Sequence, residues 1–161
     1  MVAQMETKIT SIRVVAGILG ISLLGIGFIA GEESFRADAY LDPVGVPTIG
    51  YGTTQGVKIG DKITREDAEA QLKQDASAAG DVIKRCVTVP LYQREYDAYV
   101  DFIYNVGESA FCKSTLVKKL NAEDYDGACN ELSRWVYAKG QKLNGLVSRR
   151  ERERKMCLGE N

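Results

Sequence analysis

Glu33, Asp42 and Thr48 are the side chains of this sequence whose types and spacing suit a reaction. Two carboxyl groups can divide the work of cleaving a glycosidic bond. One protonates the leaving oxygen, and the other meets developing positive charge or activates water. A neighbouring hydroxyl can hold that water. The spacing alone means little in a chain with 22 Asp and Glu. Context gives it weight, because a helix end, an Asp-Pro turn and a glycine-bracketed strand can bring the three to one cleft wall. The chain has no histidine. That excludes a Ser-His-Asp triad, a Cys-His pair and any His-bearing zinc site, and leaves acid–base work mainly to carboxylates.

The elements that must position these residues follow from local pattern. Residues 34–41 are expected as a short helix, followed by a turn at Asp42-Pro43-Val44-Gly45. Residues 46–54, rich in β-branched and aromatic residues between glycines, predict one or two short strands. Thr64, with Asp67 three places on, predicts the N-cap of a helix over 64–85 that ends before Pro90. Tyr96, Tyr99, Val100 and Ile103 recur at helical spacing and predict a single apolar stripe over 93–104, with Gly107 as its C-terminal cap. Three further short helices are expected over 114–120, 125–135 and 148–158.

At 161 residues the chain is long enough for one domain with a real core, and 27% charged with 45% hydrophobic residues describes a globule. A net charge of −1 argues against nucleic acid as a partner. The segment RRERERK, 149–155, still forms a local basic face. Cys86, Cys112, Cys129 and Cys157 lack the spacing of a metal site and read as two disulfides in an exported domain, or as four buried thiols in a reduced compartment. For two disulfides the expected pairs are Cys86–Cys157, joining the end of the long helix to the last one, and Cys112–Cys129, joining two adjacent short helices.

Immediately before Glu33, positions 14–30 carry no charge. As a helix they span about 26 Å, short against a hydrocarbon core of about 30 Å. Gly17, Gly20, Gly25 and Gly27 weaken the run further. Lys8 and Arg13 precede it, so it is expected to insert with the N-terminus in the cytoplasm. A cleaved signal, a permanent anchor and a segment that enters and later leaves are all open on the residues alone.

The run Glu33-x8-Asp42-x5-Thr48-Ile49-Gly50-Tyr51-Gly52 resembles the signature of the phage-type lysozymes, the endolysins of glycoside hydrolase family 24. The likeness continues in VPLYQREYDAYVDFIYNVGESAFCKSTLVKKLN and GLVSRRERERKMC, and so covers nearly all of 31–158. The uncharged run is similar to that of the signal-arrest-release members. A histidine common after the second glycine of the strand motif is Thr53 here.

The resemblance implies a lysozyme-like α+β fold: a small N-terminal lobe with a short sheet, a long linking helix and a helical C-terminal lobe. Its divisions would be a cytoplasmic tail at 1–13, the membrane segment at 14–30 and the catalytic domain at 31–161. The implied reaction is hydrolysis of the β-1,4 bond between N-acetylmuramic acid and N-acetylglucosamine, with Glu33 as acid, Asp42 as base or stabiliser and Thr48 on the water. Arg149 would pair with Glu33 and orient it, and Tyr104 and Ser114 would line the cleft. Glu32 falls on the wrong phase for a role. No cofactor or metal is implied. The implied partners are peptidoglycan, the host inner membrane, the Sec translocon and functionally a holin or pinholin, with the protein a monomer held at the membrane and then released to the periplasm. A non-catalytic wall-binding module and a lytic transglycosylase are the competing readings.

Overall fold

The computed structural model describes residues 12–160. The eleven residues before them, most of the expected cytoplasmic tail, lie outside the described part. Helices dominate, in the order α1 (Leu23–Glu33), α2 (Arg65–Cys86), α3 (Gln93–Val106), α4 (Glu108–Cys112), α5 (Thr115–Asn121), α6 (Tyr125–Glu131) and α7 (Asn144–Leu158). Two hairpins interrupt them, β1–β2 (Arg36–Leu41 and Pro47–Gly50) and β3–β4 (Tyr137–Ala138 and Gln141–Lys142).

The long helix begins as its cap predicts: the Thr64 hydroxyl accepts from the Asp67 N–H at 3.1 Å. Helix α3 ends at Gly107, whose φ of 87° suits glycine and whose N–H reaches the Ile103 carbonyl at 2.8 Å. This helix is the centre of the molecule. Every residue from Glu95 to Ile103 is buried, not one stripe, because α1, α2 and α7 close on it from different sides. Three of those residues are carboxylates, and each has found a partner from another part of the chain. Glu95 takes the Arg13 guanidinium at 2.9 Å, Asp97 takes the N–H and hydroxyl of Ser22 at 3.1 and 2.5 Å, and Asp101 takes Arg149 at 2.8 Å. Burial of such charges is tolerable only with this pairing.

The expected helix over 34–41 is instead a strand. Ser34 ends α1 at a φ of 55°, and β1 pairs antiparallel with β2 through Arg36↔Gly50, Tyr40↔Thr48 and Leu41↔Pro47. On its other side Ala39 donates to Asp61 and Ile63 donates to Ala37. Partners on both flanks override a local composition that suits a helix. Helix α4 and the β3–β4 hairpin were not expected from the periodicity.

Both expected disulfide pairs are corrected. Cys86 is joined to Cys112 and Cys129 to Cys157, with Cα separations of 5.5 and 5.7 Å. The reason is α4. Cys112 closes that extra helix, which leaves Gly107 and returns to the end of α2, where Arg85 also meets Glu108 at 2.9 Å. Cys129 on α6 is left facing Cys157 on α7, beside the Tyr99 hydroxyl.

The uncharged run is not one helix here. Residues 14–22 hold a strand-like bridge, in which Val14 and Leu91 exchange backbone bonds at 2.8 Å, and a short 3-10 turn over Ala16–Ile18; α1 starts only at Leu23, capped by Ser22. Ala16 and Ile29 are buried against the helical body. Among the described residues no helix is long and apolar enough to cross a membrane.

Candidate active site

Glu33 is the last residue of α1, and its side chain meets Arg149 of α7 and the turn that follows β2. Its carboxylate takes Arg149 Nη1 at 2.7 Å. On the other side lies Gly52, at a φ of 93°; a Cβ there would sit 3.3 Å from Glu33 Oε2 and 3.7 Å from the Tyr104 ring. Only glycine gives the carboxyl this much room. Burial pushes the Glu33 carboxyl above the ordinary carboxylate range, against the charge and hydrogen bond of Arg149, with Asp101 and Glu32 adding to the rise. Such a group keeps its proton at a pH where an exposed glutamate has lost it.

Tyr104 is held by its hydroxyl, which donates to the Tyr51 carbonyl at 2.6 Å. With Gly52, Thr53, Asp75 and Ile103 it lines a cavity of about 440 Å³ between the small lobe and the helices. Thr53, where a histidine is common, donates to Asp75 at 3.0 Å, and Gln71 holds the other oxygen of that carboxylate at 2.9 Å. A second hollow of about 550 Å³ is bordered by Gly31, Glu32, Leu146, Arg149 and Arg152. Glu33 lies beside Gly52 of the first hollow and binds Arg149 of the second.

Asp42 and Thr48 share the β1–β2 hairpin and are tied together through Val46. Asp42 Oδ1 accepts from the N–H groups of Val44 and Val46 at 2.9 and 2.8 Å, and the Thr48 hydroxyl donates to the Val46 carbonyl at 3.0 Å. The Asp-Pro turn is therefore an Asx turn that pins the carboxylate at a partly exposed edge. Thr48 is buried, one strand position before the Ile49-Gly50-Tyr51-Gly52 run that reaches Glu33. Ser114 lies at the start of α5. It is buried as the N-cap of α5, with its hydroxyl donating to Phe111 and accepting from Val117, and it borders neither large hollow.

Sequence reasoning missed the surroundings of Arg149. Its Nε and Nη2 both bind Asp101, at 3.2 and 2.8 Å, and Nε lies 3.5 Å from Glu153. Burial pulls this guanidinium down, but Asp101 and Glu33 outweigh it and leave it above its ordinary value. Arg150 joins the cluster through Glu153 at 2.5 Å and through Asn105. Glu32, one residue from Glu33, faces away and binds Arg152 at 2.6 Å.

The model of the phage lysozyme family matches residues 30–153. The chain belongs to the phage lysozymes. It is 42% identical over 138 residues to an endolysin of Acyrthosiphon pisum secondary endosymbiont phage 1, covering 83% of this chain and 94% of that one. A SAR-endolysin of Bacteriophage PS34 is 37% identical over 142 residues, 88% of this chain and 85% of its own length. Among solved structures, a P22 lysozyme mutant superposes with a TM-score of 0.78 at 39% identity, over 88% of this chain and 99% of that one. The lysozyme-like α+β architecture and a lysozyme-type glycosidase activity follow from this membership.

Proposed function

We propose that this phage lysozyme is a muramidase that cleaves peptidoglycan between N-acetylmuramic acid and N-acetylglucosamine. Glu33 protonates the leaving oxygen, Asp42 supports the developing positive charge or activates water, and Thr48 holds that water. The observation that carries the reading is a largely buried Glu33 carboxyl at the end of α1, raised by its surroundings and held by Arg149 at 2.7 Å. Such a group is better suited to donate a proton than an exposed glutamate. Murein zymography of Glu33→Gln tests it: clearing should fall by at least about 10²-fold with the circular dichroism spectrum unchanged. Retained clearing would end the assignment.

The uncharged run supports a second part of the proposal, storage at the membrane and later release. The name of the PS34 relative, SAR-endolysin, points the same way. In the folded protein one side of this run is buried against α3, while Val15, Ile18, Leu23 and Leu24 remain open to solvent. A segment that is apolar on its outer side, with its inner side fitted to the enzyme, suits two environments. While 14–30 sits in lipid, α1 cannot form its contacts and Glu33 is held at the surface. Depolarising cells with an ionophore should move the protein to the soluble periplasm at unchanged mass. A soluble form beginning near residue 28 or 31 would make the run an ordinary cleaved signal.

A further inference from the structure

The Arg149 guanidinium has one bidentate edge and one remaining arm, and they go to different carboxylates. The Nε–Nη2 edge grips Asp101, with bonds of 3.2 and 2.8 Å, in the fork geometry of a strong ion pair. Only Nη1 is left for Glu33, at 2.7 Å. Asp101 has no exposure at all, and Glu33 retains a fifth of its side chain open. We infer that Asp101 is a positioning residue for Glu33: it takes the greater part of the Arg149 charge, so that Arg149 steers the Glu33 carboxyl without binding it as a full counter-ion. The inference rests on the reading of Glu33 as the proton donor.

The surrounding charges are consistent with this division. Glu33 is faced by Arg149 from α7, Asp101 and Tyr104 from α3, and Glu32 from its own helix, with Arg152 of α7 already committed to Glu32. Asp101 is faced by Arg149 and Glu153 of α7. Burial, with Asp101 as hydrogen-bond partner and like charge, pushes Glu153 up to about 9 against the pull of Arg150. Glu153 gives both its oxygens to Arg150 at 2.5 Å and lies 3.5 Å from Arg149, so it offsets Arg149 less than Asp101 does. Asp101 is then the buried anion that chiefly does so. Without it, an undivided guanidinium charge would face Glu33 and favour loss of the proton that the reaction needs.

The test is Asp101→Asn, which keeps the side-chain shape and removes the charge. Two readouts are needed: the pH profile of kcat/KM on soluble murein glycan, and the Glu33 carboxyl titration followed by ¹³C NMR in the released protein. The Glu33 midpoint and the alkaline limb of kcat/KM should both move down by about one pH unit, so that activity on that limb falls about tenfold. Asp101→Glu should restore most of the shift. A uniform loss of activity with the Glu33 midpoint unmoved, or a midpoint that rises, overturns the inference and leaves Asp101 as structural support. If Asp101→Asn fails to fold, Arg149→Gln is compared with Arg149→Gln/Asp101→Asn, which leaves no unpaired ion. With Arg149 gone there is no guanidinium charge to divide, so the second change should move the Glu33 midpoint by well under one pH unit, and a fall of about one unit or more would show that Asp101 acts on Glu33 directly and would overturn the inference. The NMR titration needs no turnover, so it judges Asp101 even if Glu33→Gln retains clearing and the muramidase reading fails.

Discussion

Gly25 is where the demands on the uncharged run can be measured as stability. A Cβ built on Gly25 would lie 2.8 Å from Asp97 Cγ and 2.9 Å from its Oδ1. It would also lie 2.7 Å from Ile21 Cδ1, but that is the movable end of an aliphatic chain. Asp97 cannot yield so easily. It is buried, and its carboxylate accepts from the Ser22 N–H, the Ser22 hydroxyl and Gln93. Gly25→Ala therefore gains about 1 kcal/mol of helix propensity. Against this stand about 1–3 kcal/mol of overpacking and about 1.5–3 kcal/mol for a weakened hydrogen bond to a buried charge. A net loss of about 1.5–5 kcal/mol follows. A Cβ on Gly27 meets nothing within 4 Å, so Gly27→Ala keeps only the gain and should stabilise by about 0.5–1 kcal/mol. Urea unfolding of the purified protein separates the two, with Gly25→Ala shifting the midpoint down and Gly27→Ala up at unchanged slope. Equal midpoints for the two variants would refute the packing argument.

Other outcomes follow from the same geometry. The raised Glu153 carboxyl binds a proton in the folded state that an unfolded chain releases, so its contribution is full below about pH 4.5 and is lost as pH rises toward 9. Glu153→Gln should flatten the fall in Tm between those limits, and a fall as steep as in the unaltered protein would count against it. Glu33, raised by burial, has the same sign, so Glu33→Gln should lose activity while its Tm at pH 7 stays level or rises. A clear drop in Tm would show that the ionised pair with Arg149 stabilises the fold. Removing either disulfide, with sequence separations of 26 and 28, should cost about 3–4 kcal/mol in denaturant unfolding. Non-reducing peptide mapping should recover Cys86 with Cys112 and Cys129 with Cys157.

What the sequence made legible was local. Thr64 and Gly107 announced the start of α2 and the end of α3 because a cap is decided within a few residues. The Glu33–Arg149 contact was expected only through the family likeness, since nothing near either residue signals the other. The errors have one physical cause, dependence on distant partners. Residues 36–41 are a strand because β2 and the chain near Asp61 and Ile63 supply hydrogen bonds on either side. The disulfides were misassigned because a five-residue helix, too short for periodicity to reveal, turns Cys112 toward Cys86. Asp101 was invisible for the same reason: it lies 48 positions from Arg149, among aromatic residues that read as plain core.

The two bridges join neighbours in chain order, the first cysteine to the second and the third to the fourth. A chain emerging from its N-terminus therefore exposes each correct pair before the next begins. The simplest oxidation, each new thiol taking the one still free, yields the native set with no reshuffling. Both loops also lie wholly within residues 86–157, so neither fastens the helical body to the Glu33 helix or to the hairpin bearing Asp42. The helical body can be stapled early and completely while the segment before Glu33 is still elsewhere. Thiol chemistry and the seating of that segment are thus uncoupled, and a fully oxidised chain can wait for its first helix.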